Sequence, residues 1–354
     1  MIRLLQSRAG WLTASVLLYL AGALPVFADG EFLLQPHDTV GIVAGADPRT
    51  NLFAAYLETF VVSRFPSADI RFAQLPGIPE QLPRVLVYSP PCYPADPGGL
   101  ENYADSLAQL SRRASQASPS VKITLLEPSA CAQRGPIMET LEKKLSEAGT
   151  RNLIILLAGV TATNPDPGAQ LSVAQAILDQ WKAPTIVFDT SVDVLGKRFL
   201  DSVNSHPHDL EADRVIGWRQ EETTLPVNFA ASIGDPQDPR LAEFNDRFNR
   251  QIVRLRGARP EKFRVTVDGW TATTRWGNDL FEGINLAAYR TPMSHLATRV
   301  HELTLELLGL QIASWTSGAD VAALAARAEE VQTERAEIVA RPVAHDYEFL
   351  PDAR

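Results

Sequence analysis

Ser89 and Asp47 are the residues whose types would suit a nucleophile and a supporting carboxylate. A serine hydroxyl stays protonated and weakly nucleophilic unless a base beside it takes the proton. The chain has six histidines, yet none lies between His37 and His206. An imidazole that could activate Ser89 would therefore have to come from the second part of the chain.

The second part of the chain contains a His206-Pro207-His208 segment that could bind a metal ion or reach a catalytic site. A zinc site needs about three or four protein ligands, and no third ligand is suitably spaced here. We therefore predict no metal and no other cofactor, with both histidines in a solvated loop. His295, His301 and His345 fall in or near predicted terminal helices, where we expect surface positions.

The first 28 residues have the layout of a secretory signal peptide. Arg3 and Arg8 give a basic start, residues 11–24 are nearly all apolar, and Val26 and Ala28 are small residues where a signal peptidase cleaves. An uncleaved anchor is the alternative, but the apolar run is shorter than the roughly 20 residues that a spanning helix needs. We predict export to the periplasm or the medium, and no membrane span after cleavage.

Composition restricts the class of protein further. The chain is 45% hydrophobic and 21% charged, which allows a sizeable core and excludes wholesale disorder. Its net charge of -9 argues against general nucleic-acid binding, because no basic excess would offset phosphate repulsion.

Strand and helix patterns alternate after the signal peptide. Short apolar runs at residues 40–44, 69–73, 84–88, 121–126 and 152–157 predict strands, and helical periodicity lies between them. Runs that are apolar on both faces indicate a parallel sheet covered by helices, and right-handed crossovers make it doubly wound. Ligands of such sheets bind beyond the carboxyl ends of the strands.

Four loops follow the carboxyl ends of these strands: residues 45–49, 89–95, 127–133 and 159–168. His37 precedes the first strand, so it belongs to the opposite, amino edge. We assign residues 29–200 to the α/β domain. Residues 201–354 form an extension with a small β element and a helical pair, packed on that domain.

Ten segments, in their order and spacing, resemble exported SGNH (GDSL-type) hydrolases that carry a C-terminal extension. Together they cover most of residues 35–315. The resemblance implies a flavodoxin-like three-layer α/β fold with a five-stranded parallel sheet. The segments are Tyr56-Leu57-Glu58-Thr59-Phe60, Arg64-Phe65-Pro66, Asp69-Ile70-Arg71-Phe72, Asn164-Pro165-Asp166-Pro167-Gly168, Ala174-Gln175-Ala176-Ile177-Leu178, Ala183-Pro184-Thr185-Ile186-Val187, Leu225-Pro226-Val227, Val267-Asp268-Gly269, Gly283-Ile284-Asn285-Leu286-Ala287 and Thr291-Pro292-Met293.

The resemblance also implies where the chemistry should be. These hydrolases use a serine after the first strand, an Asp-x-x-His pair before the last helix, and a glycine and an asparagine that stabilise the oxyanion. Here Ala46 stands at the nucleophile position, Ser89 and Pro91 replace the glycine and asparagine, and Thr161 and Asn164 replace the aspartate and histidine. Alanine cannot attack a carbonyl, and an asparagine cannot act as a base.

The two cysteines, Cys92 and Cys131, follow the third and fourth predicted strands. A flavodoxin-like strand order makes those strands neighbours, and an exported protein can keep a disulfide. We expect a disulfide between them, with two buried free thiols as the alternative.

We therefore predict an exported, catalytically inactive protein that binds a small molecule such as a carbohydrate or its ester, or an envelope partner. An active esterase with relocated catalytic residues, drawing on His206 or His208, is the first alternative. A purely structural envelope protein is the second. The oligomeric state stays open. The predicted binding residues are Gly45, Asp47, Arg49, Ser89, Tyr93 and Asn164.

Overall fold

The structure is a computed structural model that describes residues 32–89, 97–118, 120–126, 143, 153–156, 164–318, 320–341 and 343–352. The predicted signal peptide lies outside the described residues. So do five of the predicted site residues: Pro91, Cys92, Tyr93, Cys131 and Thr161.

Five strands form a parallel sheet: β1 (Thr39–Val43), β2 (Arg71–Gln74), β3 (Val85–Tyr88), β4 (Lys122–Leu126) and β5 (Leu153–Leu156). Their order is β2-β1-β3-β4-β5, and every neighbouring pair is parallel. Val40 to Val43 and Val85 to Val87 are buried without alternation. This pattern follows from helices covering both faces of the sheet.

Helices α1 (Leu52–Arg64) and α3 (Pro167–Gln180) pack on one face of the parallel sheet, where Phe53, Leu57 and Ile177 meet Val40 and Val85. Helix α2 (Pro97–Ala117) covers the other face. A short 3-10 helix (Pro48–Asn51) leads from β1 into α1. The turn after β1 and the start of α3 therefore lie at the carboxyl edge of the sheet.

The rest of the chain builds two further sheets. A mixed sheet has the order β13-β10-β6-β7, and an antiparallel sheet has the order β12-β11-β14-β9-β8. Their facing residues, among them Phe188, Trp218, Val265 and Tyr347, form one apolar core between the two sheets. The strands are β6 (Ile186–Asp193), β7 (Arg198–Val203), β8 (Ser205–Ala212), β9 (Ile216–Glu222), β10 (Arg250–Arg256), β11 (Lys262–Val267), β12 (Trp270–Trp276), β13 (Ile284–Asn285) and β14 (Val343–Pro351).

Helical segments connect and cover these sheets. They are α4 (Ala230–Ile233), α5 (Pro239–Phe248), α6 (Gly277–Glu282), a 3-10 turn (Leu286–Ala288), α7 (Pro292–Thr316) and α8 (Val321–Ala340). The helical pair α7–α8 was predicted from the sequence and is confirmed. Within the described residues, no helix has the length and apolar character needed to cross a membrane.

The predicted fold class, a single five-stranded flavodoxin-like sheet with a small β element, is wrong. Nine of the fourteen described strands lie beyond residue 185, and they form two sheets of their own. The error has a physical cause. Strands of a sandwich keep one solvated face, so they lack continuous apolar runs. Strand β8, with the sequence Ser-His-Pro-His-Asp-Leu-Glu-Ala, shows how weak that signal is.

Helix α1 is buried on every side because α7 and α8 cover the face that turns away from the sheet. Ala55 packs against Leu308 and Ile312 of α7. Glu58 pairs with Arg335 of α8, with 2.6 Å between Oε1 and Nη1. A helix that is apolar nearly all round can be stable only in such a place, and the C-terminal helices thereby fix the start of α1 at the carboxyl edge.

Candidate functional site

The turn after β1 is held by hydrogen bonds within the segment. Asp47 accepts a hydrogen bond from the Arg49 amide at 3.0 Å, and its carboxylate also pairs with the Arg49 guanidinium at 3.0 Å. These hydrogen bonds from Arg49 lower the pKa of Asp47. Asn51 donates to the carbonyl oxygens of Gly45 and Asp47, both at 3.0 Å. The turn is thus fixed from within, and it leaves Ala46 exposed at its tip.

Gly45 has φ +91° in this turn, a conformation that L side chains rarely adopt. A Cβ built on Gly45 would meet no atom within 4 Å, so the backbone here borders open space. The site thus offers open room directly beside the exposed Ala46.

Ser89 lies one strand away from this turn. Its amide donates to the Val43 carbonyl at 2.8 Å, which joins the ends of β3 and β1. The residue is 8% exposed. Among the described residues, no histidine is hydrogen-bonded to Ser89, so its hydroxyl has no base there.

The loop before α3 forms the other wall of the site. The Asn164 side-chain oxygen accepts from the Asp166 amide at 3.0 Å, which is an Asx turn. Asp166 accepts from the Ala169 amide at 2.9 Å and caps α3. Gln170 donates to the Asn164 carbonyl at 2.7 Å and accepts from the Phe53 amide at 3.2 Å. Gln170 therefore ties the Asn164 loop to the start of α1.

Arg240, at the start of α5, brings the second half of the chain to this wall. Its guanidinium bonds Asp166 at 2.5 Å and Asp238 at 2.6 Å. It lies against Gly168, where a Cβ would be 2.2 Å from the guanidinium carbon. Glycine at this position therefore allows the ion pair. The role of Arg240 was not predicted from the sequence, because its partner Asp166 is 74 residues away along the chain.

Replacing Asp166 with alanine should lower the free energy of unfolding by about 1 kcal/mol, because the α3 N-cap is lost. The exposed ion pair with Arg240 adds little to this value. Urea unfolding followed by circular dichroism measures the effect. Asp246→Ala, on an exposed face of α5, is the control and should stay within about 0.5 kcal/mol of wild type. Equal behaviour of the two variants would contradict the capping assignment.

Two buried oxygens near the start of α1 have no hydrogen-bond partner in the described structure: Asn51 Oδ1 and Tyr56 Oη. Both residues are fully buried. Burial raises the pKa of Tyr56 far above its ordinary value, and the Asp166 carboxylate raises it further. Unsatisfied buried polar atoms are rare in folded proteins, so this end of α1 departs from ordinary packing.

His301 is hydrogen-bonded to a serine. Its Nε2 atom is 2.7 Å from Ser232 Oγ in α4, and its Nδ1 atom is 2.9 Å from Thr59 Oγ1 in α1. The imidazole also packs against the rings of Tyr56 and Phe229. At 2% exposure His301 is not a surface residue, so that prediction was wrong, and it was wrong for His345 as well.

The hydrogen-bonded row Ser232–His301–Thr59 includes no carboxylate among the described residues. Burial without a neighbouring carboxylate lowers the pKa of His301 to about 3. A general base works best with a pKa near the operating pH, and Thr59 cannot stabilise an imidazolium as an aspartate does. The hydrogen bonds of the neutral His301 imidazole therefore connect α1, α4 and α7.

The other histidines lie elsewhere. His37 is hydrogen-bonded to Asp69 before β1, at the amino edge as predicted. His206 and His208 are exposed on β8, in a strand and not in the predicted loop. His295 is exposed on α7. Among the described residues, no cluster of three or more His, Cys, Asp or Glu side chains could hold a metal ion.

Of the predicted binding residues, the structure brings Gly45, Asp47 and Arg49 into one turn and places Ser89 on the adjoining strand end. Asn164 is linked to α1 through Gln170. Tyr93 falls outside the described parts of the chain. The candidate site is thus a carboxyl-edge surface built from the β1 turn, the end of β3, the loop before α3, and Arg240.

Comparison with known proteins finds a solved structure with a similar fold. The chain shares its fold with the solved structure of BT4096, a gut microbial diltiazem-metabolizing enzyme, with a TM-score of 0.70 and 13% sequence identity. The similarity covers 90% of this chain and 98% of that one. No family model and no curated protein matches the sequence. The chain therefore has the fold of a known enzyme over nearly its whole length.

Proposed function

We propose that this chain is an exported binding protein that resembles SGNH hydrolases in its sequence segments and does not hydrolyse esters. One observation carries the proposal. The positions expected for the nucleophile and the base hold Ala46 and Asn164, and the Asn164 side chain is used in an Asx turn. All six histidines are in the described residues, and none is hydrogen-bonded to Ser89 or to the turn after β1.

The charges at the site favour a neutral, hydroxyl-rich ligand. Asp47 and Arg49 form an exposed ion pair on one wall, and Asp166 and Arg240 form one on the other. Charges of both signs lie side by side, so the surface does not select an anion or a cation. Carboxylate and guanidinium groups both form good hydrogen bonds to hydroxyls. A carbohydrate, or an ester of one, is the class of ligand that these walls suit.

Thermal shift and calorimetry against a panel of neutral and acetylated oligosaccharides test the ligand class. We expect binding by wild type and a loss of at least tenfold in affinity in Asp47→Ala, corresponding to about 1.4 kcal/mol. The chain offers a matched control in Asp69→Ala. Asp69 and Arg71 form the same kind of exposed pair at the amino edge of the sheet. Equal loss in both variants would contradict binding at the carboxyl edge.

The second candidate is a hydrolase that uses Ser232 and His301. The 2.7 Å contact between Ser232 Oγ and His301 Nε2 favours it, and so does the fold shared with an enzyme. Hydrolysis of 4-nitrophenyl acetate by wild type, Ser232→Ala and His301→Gln separates the candidates. We expect all three to remain at the rate of the buffer alone. Turnover by wild type that both substitutions abolish would establish the second candidate in place of the first.

A further inference from the structure

The last strand of the chain occupies the middle of a sheet. Strand β14 lies between β11 and β9, pairing Phe349 with Ile216 on one side and with Val265 on the other. Along the chain it follows the helical pair α7–α8. The antiparallel sheet is therefore complete only when the C-terminal segment has inserted between two strands formed much earlier in the chain.

A buried carboxyl group holds the start of this strand. Glu222, at the end of β9, pairs with Val343 in the ladder. Its Oε1 atom accepts a hydrogen bond from the Tyr347 hydroxyl of β14 and another from Gln220 at 3.4 Å. Its Oε2 atom is buried and has no partner in the described structure. The residue is 5% exposed, so bulk solvent does not reach this oxygen.

Among the described residues, the groups near Glu222 include one imidazole, that of His345, and no lysine or arginine paired with it. Gln220 comes from β9 itself, Tyr347 from β14, and Ser205 from the paired position on β8. Asp268, in the turn after β11, adds a repulsive negative charge. His345 of β14 is 2.7 Å from Asp268 and is hydrogen-bonded to that carboxylate. No salt bridge to Glu222 occurs among the described residues.

An ionised Glu222 would thus be a buried charge without a counter-ion, which is strongly unfavourable. Burial raises the pKa of Glu222 to about 8, although the hydrogen bonds from Tyr347 and Gln220 oppose the shift. When β14 opens, water reaches the carboxyl group and its ordinary pKa returns. The open form then binds fewer protons than the closed form at any pH between about 4.5 and 8.

We propose that Glu222 makes the seating of β14 sensitive to pH, so that the C-terminal strand is held firmly in mild acid and opens more readily toward alkaline pH. Glu222 thereby couples the ambient pH to the closure of the β-sandwich. It is independent of the proposed ligand site, since none of these residues belongs to the carboxyl edge of the parallel sheet.

Hydrogen exchange of the β14 amides in the full-length protein, corrected for intrinsic rates, tests the proposal. The opening equilibrium constant should rise by up to about tenfold per pH unit from pH 5 to 8 and then level off. Glu222→Gln should abolish that slope for β14. Glu221→Gln, its exposed neighbour, should keep the slope.

A β14 opening constant that does not change with pH in wild type would overturn the proposal, and so would an unchanged slope in Glu222→Gln. If that variant fails to fold, infrared titration of wild type gives an independent answer. A protonated buried carboxyl should be visible at pH 7 and disappear near pH 8. Its absence at pH 7 would also overturn the proposal.

Discussion

Replacing Glu58 with alanine should destabilise the protein by about 3–5 kcal/mol, because it leaves the Arg335 guanidinium buried without its partner. The two side chains are 7% and 9% exposed, with 2.6 Å between Glu58 Oε1 and Arg335 Nη1. Thr304 accepts a further hydrogen bond from Arg335 at 3.1 Å but carries no charge. The loss should appear in urea unfolding at neutral pH, as a lower midpoint with an unchanged slope.

An exposed ion pair of the same helical hairpin is the control. Arg327 contacts Glu306 and Glu330 on the solvated side of α7 and α8. Arg327→Ala should change stability by no more than about 1 kcal/mol. Replacing Glu58 and Arg335 together with apolar residues should restore part of the stability lost in the single variant. A Glu58→Ala variant as stable as Arg327→Ala would show that α8 does not cover α1.

His301 should make the protein unstable in acid. The pKa of His301 is about 3 in the fold, against an ordinary 6.5, because burial disfavours the charged ring. Between these values the unfolded chain binds one more proton than the folded one, so stability rises with pH. The contribution is on the order of 1 kcal/mol per pH unit, complete above about pH 6.5 and lost progressively below it.

Unfolding of wild type and His301→Gln across pH 4 to 8 measures this contribution. Glutamine keeps hydrogen-bonding atoms toward Ser232 and Thr59 but does not titrate. The difference between the two proteins cancels titrations common to both, including that of Glu222, which has the opposite sign. We expect this difference to grow with pH up to about 6.5 and to be flat above it. A difference independent of pH would contradict a neutral, buried imidazole.

The sequence predicted the parallel sheet in detail because its strands are buried on both faces. The apolar runs at residues 40–44 and 84–88 fall on β1 and β3 within one residue at each end. The sandwich was underestimated because most residues of β7 and β8 are exposed or half-buried, so these strands contribute few inward side chains. Strand β14 gives no local sign that it will insert between β9 and β11, since that arrangement depends on contacts from distant segments.

The candidate site likewise has parts that the sequence can predict and parts that it cannot. Local features, such as the Asp166 cap and the Asn164 turn, follow from side chains that bond backbone amides two or three residues on. Arg240 and the Ser232–His301 contact were missed because their partners are 74 and 69 residues away. The one available signal was indirect: any imidazole near the α/β region had to come from beyond residue 205.

Labelling with a fluorophosphonate probe tests the central claim most directly. The probe reacts only with serines that a neighbouring base activates. The mature wild-type protein should show no adduct at neutral pH beyond that of a heat-denatured sample. Mass spectrometry should find both Ser89 and Ser232 unmodified. A stoichiometric adduct on either serine that does not form when the protein is denatured before labelling would contradict the account and show that the chain keeps a working nucleophile.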